Sequence, residues 1–313
     1  MKRTFAFATI VAAVCLLAGC QKEGKYNPKE KIANIYSEYG SSSEYFDGQQ
    51  WQTDNQYSSG KQLSEVWTWD GKKLTQIDYP DDEYPETIRF SYDGSQLVEA
   101  VTDEQQIRFT YDGKFLSKAE VFYLYGGQPT LAMTYTFEHD GKKISRVTLS
   151  GMGMEPFNTN SKAQHSHLQK LLLANFWPQS TAAQRAIKKL QACTSKDNQS
   201  ITIDYTWDGD NVSKLQSQQQ GFSVSVSFEY DDKNNPYQGF VLSGAGMSET
   251  GVEFCNRNNI VKETYTYMDG QEDTESYSYE YDGKWPTSCT YHYTYQSDDY
   301  RGSSFTTTYY EYK

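Results

Sequence analysis

Basic residues, histidine and cysteine are all scarce in this chain of 313 residues. Lysine and arginine number 29 against 41 aspartates and glutamates, which gives a formal net charge of −12 at pH 7. Proteins that bind nucleic acids neutralise the phosphates with a stripe of basic side chains. The acidic balance therefore argues against a nucleic-acid partner.

The 5 cysteines lack the paired pattern of a disulfide scaffold. Cys15 and Cys20 belong to the N-terminal leader region, which leaves Cys193, Cys255 and Cys289. Three is an odd number, and these cysteines are far apart in sequence. One bridge remains open for an exported protein, but a disulfide framework is excluded.

Long apolar runs are also missing, except at the N-terminus. Lys2 and Arg3 precede an apolar stretch that ends at Gly19, the pattern of a secretory signal peptide and not of a spanning helix. The sequence "LAGC", Leu17 to Cys20, resembles a bacterial lipobox, so we expect cleavage after residue 19 and lipid attachment at Cys20. Acyl chains on Cys20 would hold the protein on the outer membrane, on its periplasmic or cell-surface side.

Patterns typical of catalysis or metal binding are missing as well. There is neither a Gly-x-Ser-x-Gly turn nor a phosphate-binding loop. His165 and His167 are two residues apart, which places them on different sides of a helix. His139 stands where sister segments have Tyr or Trp, and His292 has no partner motif. We therefore predict no catalytic residue, no metal ligand and no cofactor.

Tyrosine is the abundant residue, with 27 Tyr beside 15 Phe and 6 Trp. The aromatic residues alternate with polar ones, as in "ETIRFSY", "QQIRFTY", "ITIDYTW" and "FSVSVSF". A period of two predicts strands with one buried face. The chain is therefore predicted to be mainly β.

Most of these segments end at an Asp-Gly turn or a close variant of it. Asp-Gly between alternating strands predicts a β-hairpin, because Gly accepts a positive φ and Asp tolerates one. The return strand often starts with two apolar residues three apart, such as Leu74 and Ile77, which predicts a bulge after the turn. Aspartates recur at spacings that suit a meander of hairpins: Asp70, Asp93, Asp112, Asp140, Asp208, Asp231 and Asp282. None of them lies in a twelve-residue calcium loop pattern.

Residues 151–199 interrupt the hairpins with two predicted helices. Leu168 and Leu171 have helical spacing in the first, and Ile187 and Leu190 have it in the second. The segment is locally basic, so we expect it to pack against, or plug, the acidic remainder. The predicted organisation is a signal peptide (1–19), a lipidated N-terminus with spacer and first strand (20–62), and one barrel domain (63–313).

A family resemblance is carried by "VWTWDGKKLTQIDY", "FEYDDKNNPYQGF", "NNIVKETYTY" and "YDGKWPT", behind a lipobox and around a helical insertion. Together they resemble a family of Bacteroides-type lipoproteins of unknown function with "YDG" hairpin repeats, across essentially the whole mature chain. The resemblance implies a porin-like fold, a closed antiparallel β-barrel, and brings no known activity or site residues. Polar strands such as "ESYSYEY" favour a soluble barrel over a membrane-spanning one.

The leading functional hypothesis is a non-enzymatic binding or interaction module of the cell envelope, with a glycan, a small ligand or a protein as its partner. The alternatives are a structural or accessory component of an envelope complex, and a hydrolase with an unrecognised pair of carboxylates. Six aromatic residues could stack on sugars, although they also suit the inner face of a barrel: Trp67, Trp69, Trp207, Tyr277, Tyr279 and Tyr281. The ligand-binding residues stay unknown at this level.

Overall fold

Antiparallel hairpins make up nearly all of the structure. The computed structural model describes residues 23, 25–46, 50–58, 60–80, 85–124, 128–151, 181–192, 200–219, 221–242, 252–296 and 300–313. The strands in these residues are β1 Ile32–Phe46, β2 Trp51–Tyr57, β3 Gln62–Asp70, β4 Lys73–Tyr79, β5 Glu86–Asp93, β6 Gln96–Val101, β7 Gln105–Asp112, β8 Phe115–Tyr123, β9 Thr130–Asp140, β10 Lys143–Ser150, β11 Ser200–Asp208, β12 Asn211–Gln219, β13 Phe222–Tyr230, β14 Ile260–Tyr267, β15 Glu272–Asp282, β16 Trp285–Gln296 and β17 Tyr300–Tyr312. Helix α1 spans Thr181–Ala192. Among the described helical residues, no segment has the length and apolar character needed to cross a membrane.

The described strands form a closed antiparallel barrel of 16 strands. Apart from β2 and β3, each strand pairs with the next strand in the chain, and β17 closes the ring by pairing with β1 from Ile32↔Tyr312 to Tyr45↔Tyr300. The strands β2 and β3 share one position, because both pair with the same flank of β1. The predicted antiparallel β-barrel is therefore confirmed.

The Asp-Gly turns have the conformation that their sequence predicts. In the β3–β4 turn, Gly71 has φ +55°, and the equivalent glycines have φ between +55° and +63°. The residue after each glycine does not have positive φ, since Val252 is the one non-glycine residue with positive φ in the described chain. Two-residue turns with glycine first are of type II′, whose twist matches that of the flanking strands.

A bulge follows each of these turns, as the apolar spacing predicted. Trp69 pairs with Leu74 and Thr68 pairs with Gln76, which leaves Thr75 as an extra residue. Bulges increase local twist and allow a sheet to curl into a barrel. The equivalent extra residues in the return strands of the other pairs are Val98, Ser117, Ser145, Ser213, Val261 and Thr287.

At almost every bulge, an aromatic side chain from the next hairpin donates a hydrogen bond to the bulged strand. Its hydroxyl or indole N–H donates to the carbonyl of the residue that precedes the extra residue, over 2.5–3.0 Å. The donor–acceptor pairs are Trp69–Ile32, Tyr92–Leu74, Tyr111–Leu97, Trp207–Ile144, Tyr230–Val212, Tyr279–Ile260 and Tyr312–Pro286. Of the eight joints between hairpins, only the β8–β9 joint differs. The repeated aromatic residue is thus a structural link between hairpins.

Replacing Tyr111 by phenylalanine tests this link. The substitution keeps the ring and removes the hydrogen bond to the Leu97 carbonyl, so unfolding free energy should fall by about 1 kcal/mol. Urea denaturation followed by tryptophan fluorescence measures the change. The matched control is Tyr57→Phe, because Tyr57 is exposed, and its effect should stay within about 0.5 kcal/mol. Equal effects of the two variants would show that the hydroxyl adds nothing to the joint.

The strands present a buried inner face and a polar outer face. On β7, Ile107 and Phe109 are buried, whereas Arg108 and Thr110 are exposed. The same alternation holds along β5, β9, β11 and β13. The barrel therefore has its hydrophobic core inside.

Two segments outside the strands fill the end of the barrel that carries the Asp-Gly turns, which we call the turn end. The first is the connection from β13 to β14, of which residues 231–242 and 252–259 are described. Its Phe240 is 1% exposed and stacks on Tyr26, with 4.8 Å between ring centres. The second segment holds Tyr26, whose hydroxyl donates to the carbonyl of Pro236 over 2.8 Å. Together they form a plug inside the barrel.

One predicted helix is observed here, and one predicted boundary is revised. One helix of the insertion is described, α1, and it contacts the inner wall through β12, β13 and β15; the other predicted helix lies outside the described residues. The barrel also begins well before residue 63, because β1 pairs with both β17 and β3 to close the ring. The predicted spacer between Cys20 and the first strand includes Glu23 and Tyr26, which contact the barrel directly.

Candidate functional site

The six aromatic residues predicted as sugar-stacking candidates lie on the inner face. Trp67 is 3% exposed, and its ring contacts Tyr26 and Phe240 of the plug at 6.3 and 5.5 Å between ring centres. Tyr277 is likewise buried and stacks on Tyr291 at 5.5 Å. Trp69, Trp207 and Tyr279 are partly buried and pack against the core. Tyr281 is partly buried and stacks on Tyr279, with 5.9 Å between ring centres. The rings of Trp67 and Tyr277 are therefore core residues, and the other four expose only part of their surface.

Two buried carboxylates face each other across the β14–β15 pair. Glu263 pairs directly with Glu275, and these residues are 0% and 3% exposed. Tyr265 donates its hydroxyl to Glu263, and Tyr291 donates to Glu275 over 3.1 Å. Directly opposed like charges are unfavourable in a sheet, and burial raises the pKa of Glu275. The pair has the residue types of a hydrolase, but its burial closes it to a substrate.

Helix α1 rests on these acids. The Ala182 amide donates to Glu275 Oε1 over 3.2 Å, so the positive end of the helix dipole meets the carboxylate. One turn later, Arg185 forms an ion pair with Asp273 at 3.3 Å, and Lys189 lies 4.8 Å from the ring centre of Tyr267. The basic character noted in the sequence thus serves to dock the helix on an acidic inner wall.

The remaining predicted candidates are structural or lie outside the described residues. Asp231 accepts hydrogen bonds from the Lys233 and Asn259 amides and so shapes the plug. Cys255 and Cys289 are free thiols. The described part of the chain contains no cluster of three His, Cys, Asp or Glu side chains that could hold a metal. Three further predicted residues lie outside it: Cys193, His165 and His167.

A depression of about 430 Å³ lies on the outer wall where β1, β15, β16 and β17 meet. Its lining groups already bind one another. Lys61 Nζ sits 3.5 Å above the ring of Tyr309, whose hydroxyl donates to Glu38. Tyr36 donates to Glu311 Oε2 over 3.1 Å. A ligand there would have to displace these contacts.

A taller part of the wall rises at the end opposite the turns. Residues 40–46 of β1 pair with all of β2 and also with residues 300–305 of β17. The seven residues of β2 span roughly 20 Å and lie beyond the level at which β3 pairs with β1. Because β3 to β8 contain only 6 to 9 residues each, this side of the wall is taller. We call residues 39–46 and 51–57 the aromatic ribbon.

All large exposed hydrophobic side chains of the described chain lie at this end. Four belong to the ribbon: Tyr39, Tyr45, Trp51 and Tyr57, which are 42%, 45%, 40% and 66% exposed. The other two, Leu131 and Met268, lie at the start of β9 and just after β14, at the barrel end opposite the turn end; Met268 precedes Asp269-Gly270, an Asp-Gly turn of this opposite end. The exposed apolar surface is therefore confined to one end of the barrel.

Gly40 sets the geometry of one of these rings. Tyr57 and Phe305 pair with Gly40 from opposite sides, and their rings cover it. A Cβ atom on residue 40 would lie 2.4 Å from Phe305 Cε1 and 2.8 Å from Tyr57 Cδ1. The absence of a side chain on Gly40 thus lets two aromatic rings meet over the backbone, and Tyr57 is held as a platform while most of its surface stays exposed.

Sequence reasoning missed the ribbon as a site. The sequence predicts one strand in "KYNPKEKIANIYSEYG" but turns and loop in "SSSEYFDGQQWQTDNQYSSG", Ser41 to Gly60, where the structure has the second half of β1 and all of β2. A usable signal was its composition, since Tyr beside Ser, Gly and Asn is typical of binding surfaces.

Comparison with known proteins gives structural likenesses, including two to porin-like proteins. No family model and no curated protein matches the chain. The chain is similar to the solved structure of a porin-like protein from Bacteroides uniformis, at 12% identity and TM-score 0.45, over 90% of this chain and 98% of that one. It is also similar to a porin-like protein from Bacteroides vulgatus, at 9% identity and TM-score 0.34, over 91% of this chain and 99% of that one. The barrel is defined by its strand ladder and does not depend on these likenesses.

Proposed function

We propose that the protein is a non-enzymatic glycan-binding module of the cell envelope, anchored by lipid on Cys20, and that the aromatic ribbon is its binding surface. The observation that supports this is the confinement of every large exposed hydrophobic side chain of the described residues to the barrel end that carries the ribbon. Directly paired residues share a face, so Trp51 and Tyr57 lie on one face of the ribbon and Tyr39 and Tyr45 lie on the other. Exposed apolar side chains that are grouped at one end of a protein mark a candidate interaction site.

The chemistry of the ribbon favours a neutral glycan. Its rings offer flat faces for the C–H side of a sugar, and its Ser, Thr, Asn and Gln side chains offer hydrogen bonds to sugar hydroxyls. Glu44 and Asp54 are the charged residues of the two ribbon strands, so an anionic polysaccharide would be repelled. Protein-binding surfaces are also rich in Tyr and Trp, but they add Met and Arg, and the ribbon contains neither Met nor Arg.

The outer wall supports a barrel that stays outside the hydrocarbon layer. A membrane-spanning barrel needs an outward apolar band. Here the outward positions include Arg89 on β5, Arg108 on β7 and Asp204 on β11, all exposed. With the acyl chains on Cys20 as its membrane attachment, the protein would sit on the outer membrane, facing the periplasm or the cell surface.

Titration with neutral oligosaccharides tests the proposal. The mature chain with Cys20→Ser is measured by calorimetry against a panel of plant and microbial oligosaccharides. We expect Trp51→Ala and Tyr57→Ala each to weaken binding about tenfold, equivalent to about 1.4 kcal/mol. Both side chains are exposed, so the fold should be retained.

Tyr36→Ala is the matched control, because it removes a tyrosine from the same outer wall but outside the ribbon. It should bind like the wild type. The proposal fails if the unmodified chain binds no member of the panel, or if Tyr36→Ala weakens binding as much as the ribbon variants do.

The packed interior favours a second candidate, a scaffold or accessory component of an envelope complex. Tyr26, Phe240 and α1 pack inside the barrel, so the described residues fill much of its interior. In that case a partner protein should co-purify with the lipidated chain from membranes. Trp51→Ala should abolish the co-purification, and neither the unmodified chain nor the variant should bind an oligosaccharide.

A further inference from the structure

The N-terminal segment is attached to the turn end of the barrel. The Glu23 amide donates to the carbonyl of Lys114, in the β7–β8 turn, over 3.0 Å. Gln96, at the start of β6, donates to the Glu23 carbonyl over 3.4 Å. Three residues further on, Tyr26 is buried in the plug. The segment is therefore held on three sides where it meets the barrel.

The carboxylate of Glu23 lies at the β8–β9 joint, the one joint between described hairpins that lacks the aromatic hydrogen bond. At β8–β9, His139 stands in the position of Tyr or Trp, and Leu116 holds the position of the acceptor residue. Glu23 Oε2 accepts the Leu116 amide over 2.5 Å, and His139 Nε2 lies 3.1 Å from both carboxylate oxygens. The glutamate thus bridges the two hairpins that a single aromatic hydrogen bond joins elsewhere. The joint at which His139 replaces Tyr or Trp is therefore the place where the N-terminal segment binds the barrel.

The position of Glu23 limits where a lipid anchor can be. Cys20 is three residues away, and three extended residues reach at most about 11 Å. A lipid on Cys20 therefore cannot lie far from the β5–β6, β7–β8 and β9–β10 turns. Because Glu23 is fixed, the segment cannot act as a flexible tether.

The geometry points to the turn end as a membrane-contact surface that faces phospholipid headgroups, with the aromatic ribbon directed away from the bilayer. This inference rests on the lipid anchor of the proposed function. It goes beyond it by assigning the interaction surface and its partner, a lipid headgroup layer, and by fixing the orientation of the whole barrel.

The charge distribution fits this assignment. Lysines follow glycine in four of the Asp-Gly turns, and the exposed ones include Lys72, Lys142 and Lys284. Each of these turns pairs its aspartate with one or two lysines, whereas the chain as a whole has a formal net charge of −12. These four turns are therefore close to neutral, and anionic headgroups repel them less than the net charge of the chain implies, whereas the β5–β6 and β11–β12 turns carry Asp93, Asp208 and Asp210 without a lysine. Its exposed lysines can also pair with lipid phosphates.

Lysine footprinting of the full lipidated protein tests the orientation. The protein is bound to vesicles of phosphatidylethanolamine and phosphatidylglycerol and treated with an impermeant amine-reactive ester. Mass spectrometry compares each lysine with the Cys20→Ser protein in solution. We expect the reactivity of Lys72, Lys142 and Lys284 to fall several-fold on vesicles, while Lys61, on the outer wall near the ribbon, reacts as in solution.

A spacer variant provides the control. About 20 Gly and Ser residues inserted before Glu23 reach roughly 25 Å and leave every contact of Glu23 in place. This variant should still bind vesicles but lose the protection of the three turn lysines. Failure of the unmodified protein to float with vesicles would overturn the lipid anchor itself. Flotation with uniform lysine reactivity, or with Lys61 protected instead, would overturn the orientation while leaving the anchor intact.

Discussion

Replacing Phe240 by alanine is expected to destabilise the protein by about 3–5 kcal/mol, the usual cost of truncating a buried phenylalanine. Phe240 is 1% exposed, and its ring contacts Tyr26, Trp67 and Phe90, with 4.8, 5.5 and 5.9 Å between ring centres. These partners come from the N-terminal segment, β3 and β5. One side chain of the plug therefore joins three parts of the chain that are remote in sequence.

Guanidinium unfolding followed by tryptophan fluorescence measures the loss, since Trp67 lies in the affected cluster. Phe240→Leu is the matched variant: it keeps most of the apolar volume, so it should cost less than about 1.5 kcal/mol. If alanine and leucine had the same small effect, residues 236–242 would lie on the barrel without filling it. The difference between the two variants thus reports directly on the plug.

The second large effect concerns a buried acid, Glu65 on β3. Its side chain is 0% exposed and accepts a hydrogen bond from Trp67 Nε1 over 2.6 Å. Burial raises the pKa of Glu65 from 4.5 to about 8, and the Trp67 hydrogen bond opposes the shift only in part. Burial raises the pKa of the neighbouring Tyr79 and Tyr237 hydroxyls well above the usual value, and the charge of ionised Glu65 adds to both shifts.

The direction of the pH dependence follows from proton binding. Between pH 4.5 and 8 the folded state keeps a proton on Glu65 that the unfolded state has lost, so stability falls as pH rises through this window. A shift of this size corresponds to about 4 kcal/mol across the window. Glu65→Gln stays neutral and retains an oxygen for Trp67. We therefore expect equal stability at pH 4.5 and a variant more stable by about 4 kcal/mol at pH 8.

Urea denaturation at a series of pH values measures both curves. Glu138→Gln is the control, because Glu138 is exposed on the outer face of β9 and its removal should leave the pH dependence unchanged. A Glu65→Gln protein with the wild-type slope between pH 4.5 and 8 would show that Glu65 is charged in the folded state.

The sequence predicted the hairpins because their signals are local. Asp-Gly followed by Lys needs only a glycine with positive φ, and Gly71 has it. The spacing of Leu74 and Ile77 predicted the bulge because both side chains must reach the same face, which requires the extra residue Thr75. Likewise, alternation alone indicated that Ile107 and Phe109 face inwards.

The candidate site was not predictable in the same way. Trp67 and Tyr277 were recognised as inner-face residues or sugar platforms, and only the plug decides between these roles by covering Trp67. Residues 231–259 have no period, so nothing local places Phe240 inside the barrel. The exposure of Trp51 and Tyr57 depends on how far β1 and β17 extend beyond the rest of the wall, which is a property of the closed ring.

By itself, the sequence determined most of the strands, the turns, the bulges and the antiparallel class of this protein, because these depend on contacts within one hairpin; it missed β2 and the second half of β1. The tertiary structure alone decided what fills the barrel, which aromatic rings stay exposed, and that Glu23 joins the N-terminal segment to Leu116 and His139. Those features depend on side chains 93 and 116 residues apart in sequence. Such contacts form only once the ring has closed, so no local pattern encodes them.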